Sequence, residues 1–284
     1  DEVARFSARR GAGGVYTGTW RGTPEGRGHP ATLDFVARET AGAVRLGGVV
    51  LEDAARAYAG RRAGRSPMAE VTYIGPRVAA PATDAARELE RQIVLFNALD
   101  TEDGSETAPV STAAAWRQFR DEVFRRYRET LAENDDLPEY TLQWSDVTRT
   151  FVRLNESGLL VIDAFHHSYE GGAHGIYGNR FGIFDIESGR RLRYADLFTA
   201  DAAARLQPLL KRRVLDELSS RIGEAVGEEM LLVDGAFPVS ENIFLRRDGV
   251  GFHYNVYEVA AYAAGDFDIV LAWDELTDLL RPGT

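Results

Sequence analysis

The segment Tyr169-Glu170-Gly171-Gly172-Ala173-His174-Gly175 lies between two strand-like runs and constrains the fold more than any other stretch of this chain. Before it, Leu159-Leu160-Val161-Ile162 is apolar on both parities, as in a central strand, and the run continues through Phe165 to Tyr169. After it, residues 176–186 read as a second strand. Three glycines between such runs predict a tight or bulged β-connection, because glycine takes positive φ and lets a neighbouring backbone approach closely.

The pattern extends on both sides. A strand is expected from Tyr140, with Leu142, Trp144, Thr148, Thr150, Val152 and Leu154 on one parity and a turn at residues 155–158. A hairpin-like turn at Glu187-Ser188-Gly189 returns through Leu192. Residues 195–223 carry Leu206, Leu210, Val214 and Leu218 at helical spacing. Pro208 predicts a kink there, or a new helix from Gln207. Asp248-Gly249 marks a hairpin whose second strand has Val250, Phe252, Tyr254 and Val256 on one parity and Gly251, His253, Asn255 and Tyr257 on the other. Phe267, Ile269, Leu271 and Trp273 alternate in a last strand, and Asp274 is expected to cap a short terminal helix.

Upstream, Thr83 or Asp84 opens a helix carrying Leu89, Ile93 and Phe96. Ser111 or Thr112 opens a longer one with Trp116, Phe119, Val123, Tyr127 and Leu131 on one face, a core-facing stripe. Residues 100–109 are acidic, without apolar period, and read as a loop. Residues 71–78 form a strand interrupted at Gly75-Pro76, which suits an edge or bulge. Residues 1–66 are β-rich, with strands at 15–20, 31–36 and 44–51 arranged as a meander or partial barrel. Residues 61–67 are the expected boundary between this section and an α+β unit at 67–284, with a companion part at 67–138 and a signature-bearing part at 139–281. The fold class is therefore α+β: a mostly antiparallel sheet with helices packed on one face, preceded by a β-rich N-terminal section.

Composition removes several functions. A formal net charge of −11 argues against general affinity for nucleic acid or anionic lipid. The absence of cysteine excludes disulfides, thiolate metal sites and a cysteine nucleophile. No apolar run is long enough for a transmembrane helix. The chain opens at Asp1 without Met, which is read as a mature or trimmed form whose targeting segment has been removed.

Four segments form one series. Tyr169-x-Gly171-Gly172-Ala173-His174-Gly175 is followed by Phe184-Asp185-x-x-Ser188-Gly189-x-x-Leu192-x-x-x-Asp196-Leu197-Phe198. Phe244 and Leu245 then enter a sheet with Gly249-Val250-x-Phe252, and Tyr257-Glu258-Val259-Ala260-Ala261-Tyr262-Ala263-Ala264-Gly265 closes the series. Over residues 70–281 it resembles the bacterial envelope domain of unknown function in the extracytoplasmic part of the lysozyme-sensing anti-sigma factor. Similar domains occur in predicted lipoproteins and beside some peptidoglycan deacetylases. The resemblance implies an extracytoplasmic domain, in the periplasm or at the cell surface, held to the membrane only through a removed N-terminal anchor. It also implies a non-enzymatic binding or sensing role toward an envelope protein such as a lysozyme-like muramidase, or toward peptidoglycan. The alternative is an accessory or catalytic module of peptidoglycan hydrolysis or deacetylation. Ala261 stands where members often carry proline, in a loop region that helps the anti-sigma factor contact lysozyme.

Several groups invite chemistry. His166, His167 and His174, with Asp163 and Glu170, offer nitrogen and oxygen ligands, but adjacent strand residues point to opposite faces, so at most one of the pair joins His174. Ser168 beside His167 fails as a nucleophile–base pair for the same reason. Glu258 with Asp266, Asp268 or Glu170 would need a separation of about 5–9.5 Å for glycosidase work; acids are abundant, and a solvated face is the simpler reading. No catalytic residue, metal or cofactor is therefore assigned. The candidate site is a recognition surface of Tyr169, Gly171, Gly172, His174, His253, Tyr257, Glu258 and Tyr262, where tyrosines present an aromatic body and a polar edge.

Overall fold

The computed structural model describes residues 4–10, 15–22, 31–38, 40–58, 66–98, 111–133, 138–233 and 235–282, the first three segments mainly as backbone. Strands β1 (Ala4–Arg10), β2 (Val15–Gly22) and β3 (Ala31–Arg38) form an antiparallel meander. A six-stranded sheet follows in the order of the chain: β4 (Leu46–Arg56), β5 (Met68–Val78), β6 (Trp144–Glu156), β7 (Leu159–Tyr169), β8 (Ile176–Asp185) and β9 (Arg191–Leu192). Only β5 and β6 are parallel among its pairs, and the crossover between them carries helices α1 (Asp84–Asn97) and α2 (Thr112–Glu133). Strand β4 pairs with β5 along its whole length across the segment read as a boundary; residues 59–65, most of that segment, lie outside the described residues, as does the loop at 100–109. Pro76 sits in β5 opposite Gly48 of β4, past Ile74, the last residue in register with β6. Its missing N–H therefore breaks no second ladder.

The even parity of β7 meets α1: Leu160, Ile162 and Ala164 pack with Leu89, Ile93 and Phe96. The Thr83 hydroxyl caps α1 by accepting from the Ala86 N–H. Helix α2 sets Val123, Phe124 and Tyr127 against Ala69, Val71 and Trp144. The odd parity of the sheet, with Val161, Phe181 and Ile183, belongs to a second core shared with a three-stranded antiparallel sheet. That sheet comprises β10 (Ile243–Leu245), β11 (Gly249–Tyr254) and β12 (Phe267–Ala272). Its inner face touches β8, where the Phe181 ring lies 5.3 Å from His253 and 4.4 Å from Phe244. Its outer parity, Val250, Phe252, Tyr254, Phe267, Ile269 and Leu271, shares a core with Leu206, Leu210, Val214 and Leu218 of α4 (Ala202–Ile222). Two sheets thus lie face to face, and each carries its helices on one side.

Local departures from the sequence pattern have clear causes. Residues 139–142 form a 3-10 turn, and the expected strand starts at Trp144; the turn delivers the Leu142 carbonyl to the Tyr127 hydroxyl at 2.8 Å. A bulge between Val152 and Leu154 resets the parity of β6, so Leu154 pairs with Val161 and packs on the core shared with the second sheet, while Thr148 and Thr150 are buried on the other face. Helix α4 starts at Ala202 and runs through Pro208, because four core leucine and valine positions on one stripe outweigh one lost hydrogen bond. A four-residue α3 (Tyr194–Leu197) precedes it. In the terminal α5 (Trp273–Leu276) the cap position is Ala272, and Asp274 lies inside the first turn.

The two sheets are joined by side-chain amides. Strand β8 pairs with β7 on one edge, but on the other β9 covers only Ile183 and Phe184. Asn255 closes part of the remaining edge: its Oδ1 accepts the Asn179 N–H at 2.6 Å and its Nδ2 donates to the Asn179 carbonyl at 3.2 Å. Asn242 closes the next step, accepting the Phe181 N–H at 2.8 Å and donating to the Asn179 carbonyl at 2.8 Å. Each amide supplies one donor and one acceptor, as a neighbouring strand would. Replacing Asn242 by Ala strands the Phe181 N–H between the layers, so Asn242→Ala should lower unfolding free energy by about 1–3 kcal/mol in urea titration, with the native circular dichroism spectrum retained.

Candidate functional site

The glycine corner closes on itself. Gly171 has φ +84°, and a β-carbon there would stand 1.8 Å from the Thr141 carbonyl oxygen, so the 3-10 turn before β6 leaves room for glycine alone. The Tyr169 hydroxyl donates to the Gly172 carbonyl at 3.0 Å, and Glu170 pairs with Arg126 of α2 at 2.7 Å. Gly172 and His174 are exposed. The Gly175 carbonyl receives two donors: His174 Nδ1 at 2.8 Å and the Tyr262 hydroxyl at 3.1 Å. This carbonyl joins the corner to the loop after β11, 87 residues later in the chain.

An aromatic ladder lies across that junction. The His174 ring stacks on Tyr262 at 4.5 Å and 29°. Tyr262 also meets Tyr257 at 5.4 Å and Tyr177 at 5.8 Å. Tyr257 is 50% exposed and has φ +70°, a left-handed conformation that a bulky side chain adopts only when its surroundings impose it. The imposing element is the loop: the Asn255 N–H donates to Glu258 Oε2 at 3.0 Å, and the Glu258 N–H returns to the Asn255 carbonyl at 3.1 Å. The Asn255 amide also donates to Glu258 Oε1. Glu258 therefore shapes the loop that presents Tyr257.

His253 does not belong to the surface. It is 1% exposed, between the two sheets, because β11 is covered on both faces and its second parity is buried as well as its first. Its Nδ1 lies 2.7 Å from Asp268 Oδ1 and its Nε2 3.0 Å from Asn255 Oδ1. The Asn179 N–H fixes that Asn255 atom as the oxygen, so both ring nitrogens face acceptors, an arrangement that favours the doubly protonated ring. Burial works against the charged ring, but the bonds to Asp268 and Asn255, with the negative charges of Asp268 and Asp266, outweigh it and hold the pKa above its ordinary 6.5. From beneath, this imidazolium orients the amide that carries the loop. Gly178 is required beside it, since a β-carbon there would stand 2.8 Å from Asn255 Oδ1.

The corner also borders a cleft of about 540 Å³ lined by Phe119, Arg126, Asp146, His166, Ser168 and His174, among others. Asp146, 3% exposed, accepts from His166 Nε2 at 2.9 Å. The register sets Asp146 opposite Ser168 and Thr148 opposite His166, so these residues share one face. Sequence reasoning missed this pair because it compared Ser168 with its neighbour His167; the β6–β7 register, not adjacency, brings Asp146 in. Among the described residues, no group of three or more His, Cys, Asp or Glu side chains could hold a metal ion. No helix among the described residues is long and apolar enough to cross a membrane.

Residues 195–274 match the model of a family described as "Protein of unknown function (DUF3298)". This segment holds the three-stranded sheet, α4 and the loop with Tyr257 and Tyr262, and leaves the glycine corner outside. No curated protein matches the chain. Among solved structures, a DUF3298 family member from Bacteroides fragilis aligns over 86% of this chain and 96% of its own, at 20% identity and a TM-score of 0.64. A DUF3298 family protein from Pseudomonas aeruginosa aligns over 84% of this chain and 95% of its own, at 16% identity and a TM-score of 0.56. At such identities the likeness is one of fold.

The raised pKa of His253 has a sign that can be measured. Its contribution to stability is complete below about 6.5, the value in the unfolded chain, and is lost as pH rises through the higher folded value. The depressed carboxylates Glu122 and Glu275 act below their ordinary range and are constant in this window. Unfolding free energy should therefore fall from pH 6 to pH 9 in the native chain, and this slope should be absent in His253→Gln.

Proposed function

We propose that the chain is a non-enzymatic binding or sensing domain of the bacterial cell envelope. It lies outside the cytoplasm, anchored in its precursor by an N-terminal lipid, and uses the aromatic ladder over the glycine corner to engage a protein or a cell-wall glycan. The observation that carries the reading is Tyr257: half-exposed, left-handed and stacked on Tyr262. A left-handed non-glycine residue costs about 1–2 kcal/mol. Strain of this kind persists where a fixed presentation of the side chain is useful. Ring-on-ring contacts of about 0.5–1.5 kcal/mol each hold the ladder rigid, so little ordering remains to be done on binding. Rigid tyrosines with polar edges suit both sugar rings and protein surfaces. The compartment and the two ligand classes rest on the resemblance of the glycine and closing motifs to the envelope domain.

A second reading, hydrolysis or deacetylation of peptidoglycan, has one observation behind it. Asp146 and His166 form a carboxylate–imidazole pair in a cleft that also holds Ser168. A nucleophile needs its base within hydrogen-bond reach, and among the described residues the Ser168 hydroxyl bonds to neither neighbouring histidine. The recognition reading is therefore preferred.

Tyr257→Gly separates strain from function. It should leave the melting temperature unchanged or raise it, while weakening binding at least about tenfold to whichever probe the native chain retains, insoluble peptidoglycan or lysozyme. Binding unchanged by this substitution, or no binding of the native chain to either probe, would sink the reading. Release of acetate or reducing ends from peptidoglycan, abolished by His166→Gln, would establish the second.

A further inference from the structure

Among the described residues, the seven buried side-chain polar atoms without a hydrogen-bond partner are not scattered. Five of them, Tyr73 Oη, Asn97 Nδ2, Thr112 Oγ1, Trp116 Nε1 and Thr148 Oγ1, belong to residues lining one small chamber between α1, α2, β5 and β6. Tyr73, Asn97, Thr112 and Thr148 are each at least nine-tenths buried. The chamber shares Phe119 with the cleft of the Asp146–His166 pair but is lined by neither of those residues, nor by any residue of the aromatic ladder. It has about 10 Å³ of room for the centre of a water molecule. We propose that it is a binding site for a single ordered water molecule, which ties the last residue of α1 and the first residue of α2 to the sheet.

The identity of the ligand follows from the hydrogens. The Asn97 amide is oriented by Thr150, whose hydroxyl donates to Asn97 Oδ1 at 3.0 Å, so the group turned to the chamber is the donor Nδ2. The indole N–H of Trp116 can only donate. Burial pushes the Tyr73 phenol up to about 12, so it keeps its proton at any physiological pH. The two Thr hydroxyls also carry hydrogens. Five donors belong to the lining residues, the Tyr73 hydroxyl also facing Thr150, and no carboxylate is among them. The four donors of Asn97, Thr112, Trp116 and Thr148 left bare would cost about 1–3 kcal/mol each, a large part of an ordinary domain's whole stability, so an acceptor belongs among them.

Two occupants of this size can accept: water and a halide. A halide could take all five hydrogens, but no Lys, Arg or His lines the chamber. A buried charge without a counter-charge costs far more than one unmet hydroxyl. Water accepts from the two obligate donors, Asn97 Nδ2 and Trp116 Nε1, and donates to two of the three hydroxyl oxygens. The room available matches the roughly 10–15 Å³ that one water requires, and is too small for any polyatomic ligand.

A crystal structure of the native chain grown in bromide tests the proposal directly. A solvent peak without anomalous signal, about 2.7–3.2 Å from Asn97 Nδ2 and Trp116 Nε1, is expected. An anomalous peak there, or no peak, overturns it. In solution, oxygen-17 relaxation dispersion should lose the amplitude of one long-lived water on going from the native chain to Trp116→Phe/Thr148→Val. An unchanged amplitude in a folded double variant also overturns it. Should that variant fail to fold, the native crystal still decides.

Discussion

The exposed edge of β8 is the constraint on which the rest of the structure depends. A strand in the middle of a mixed fold cannot leave N–H and carbonyl groups unpaired against a second sheet, and β9 is too short to cover them. Asn242 and Asn255 meet that demand from the three-stranded sheet, so the two layers are held by paired hydrogen bonds as well as by Val161, Phe181 and Ile183. Apolar burial brings the layers together without choosing a register; the amides choose one, because a slip of one residue would turn the Asn179 and Phe181 groups away.

The same contacts extend to the surface. Asn255 Oδ1 accepts from both the Asn179 N–H and His253, and its backbone starts the loop closed by Glu258. That loop sets Tyr257 in its left-handed conformation and leads to Tyr262, which reaches the Gly175 carbonyl. Beneath, Asp163 is fully buried and is satisfied by Asn179 Nδ2 at 2.6 Å and Arg153 Nε at 2.9 Å. A carboxylate that deep is tolerable because both oxygens are bonded and a guanidinium faces it. The ladder of rings is therefore the visible end of a polar seam running between the sheets, and its rigidity is inherited from that seam.

Much of the architecture was legible in local sequence. Trp116, Val123 and Tyr127 mark the core stripe of α2, Leu159 to Ile162 mark a strand covered on both faces, and the glycines mark a corner where Thr141 crosses. These signals are periodic or steric, and they act over a few residues. The contacts that define the site act over long separations: Asn242 meets Phe181 at 61 residues and Asn255 meets Asn179 at 76. A side-chain amide standing in for a strand has no period and no motif. For the same reason His253 read as a surface residue: alternation predicts one buried parity, and only the stacking of a second sheet on β11 buries the other. Asp146 and His166 were hidden likewise, since their pairing depends on the β6–β7 register.

Hydrogen exchange of the native chain, read at single-residue resolution, tests the seam most directly. If the two amides close the edge of β8, the Asn179 and Phe181 N–H groups exchange as slowly as central-strand amides such as that of Ile162. In Asn255→Ala protection at Asn179 then falls while protection at Ile162 is kept. Fast exchange at Asn179 and Phe181 in the native chain would contradict the account, because the two sheets would then be held by apolar contact alone.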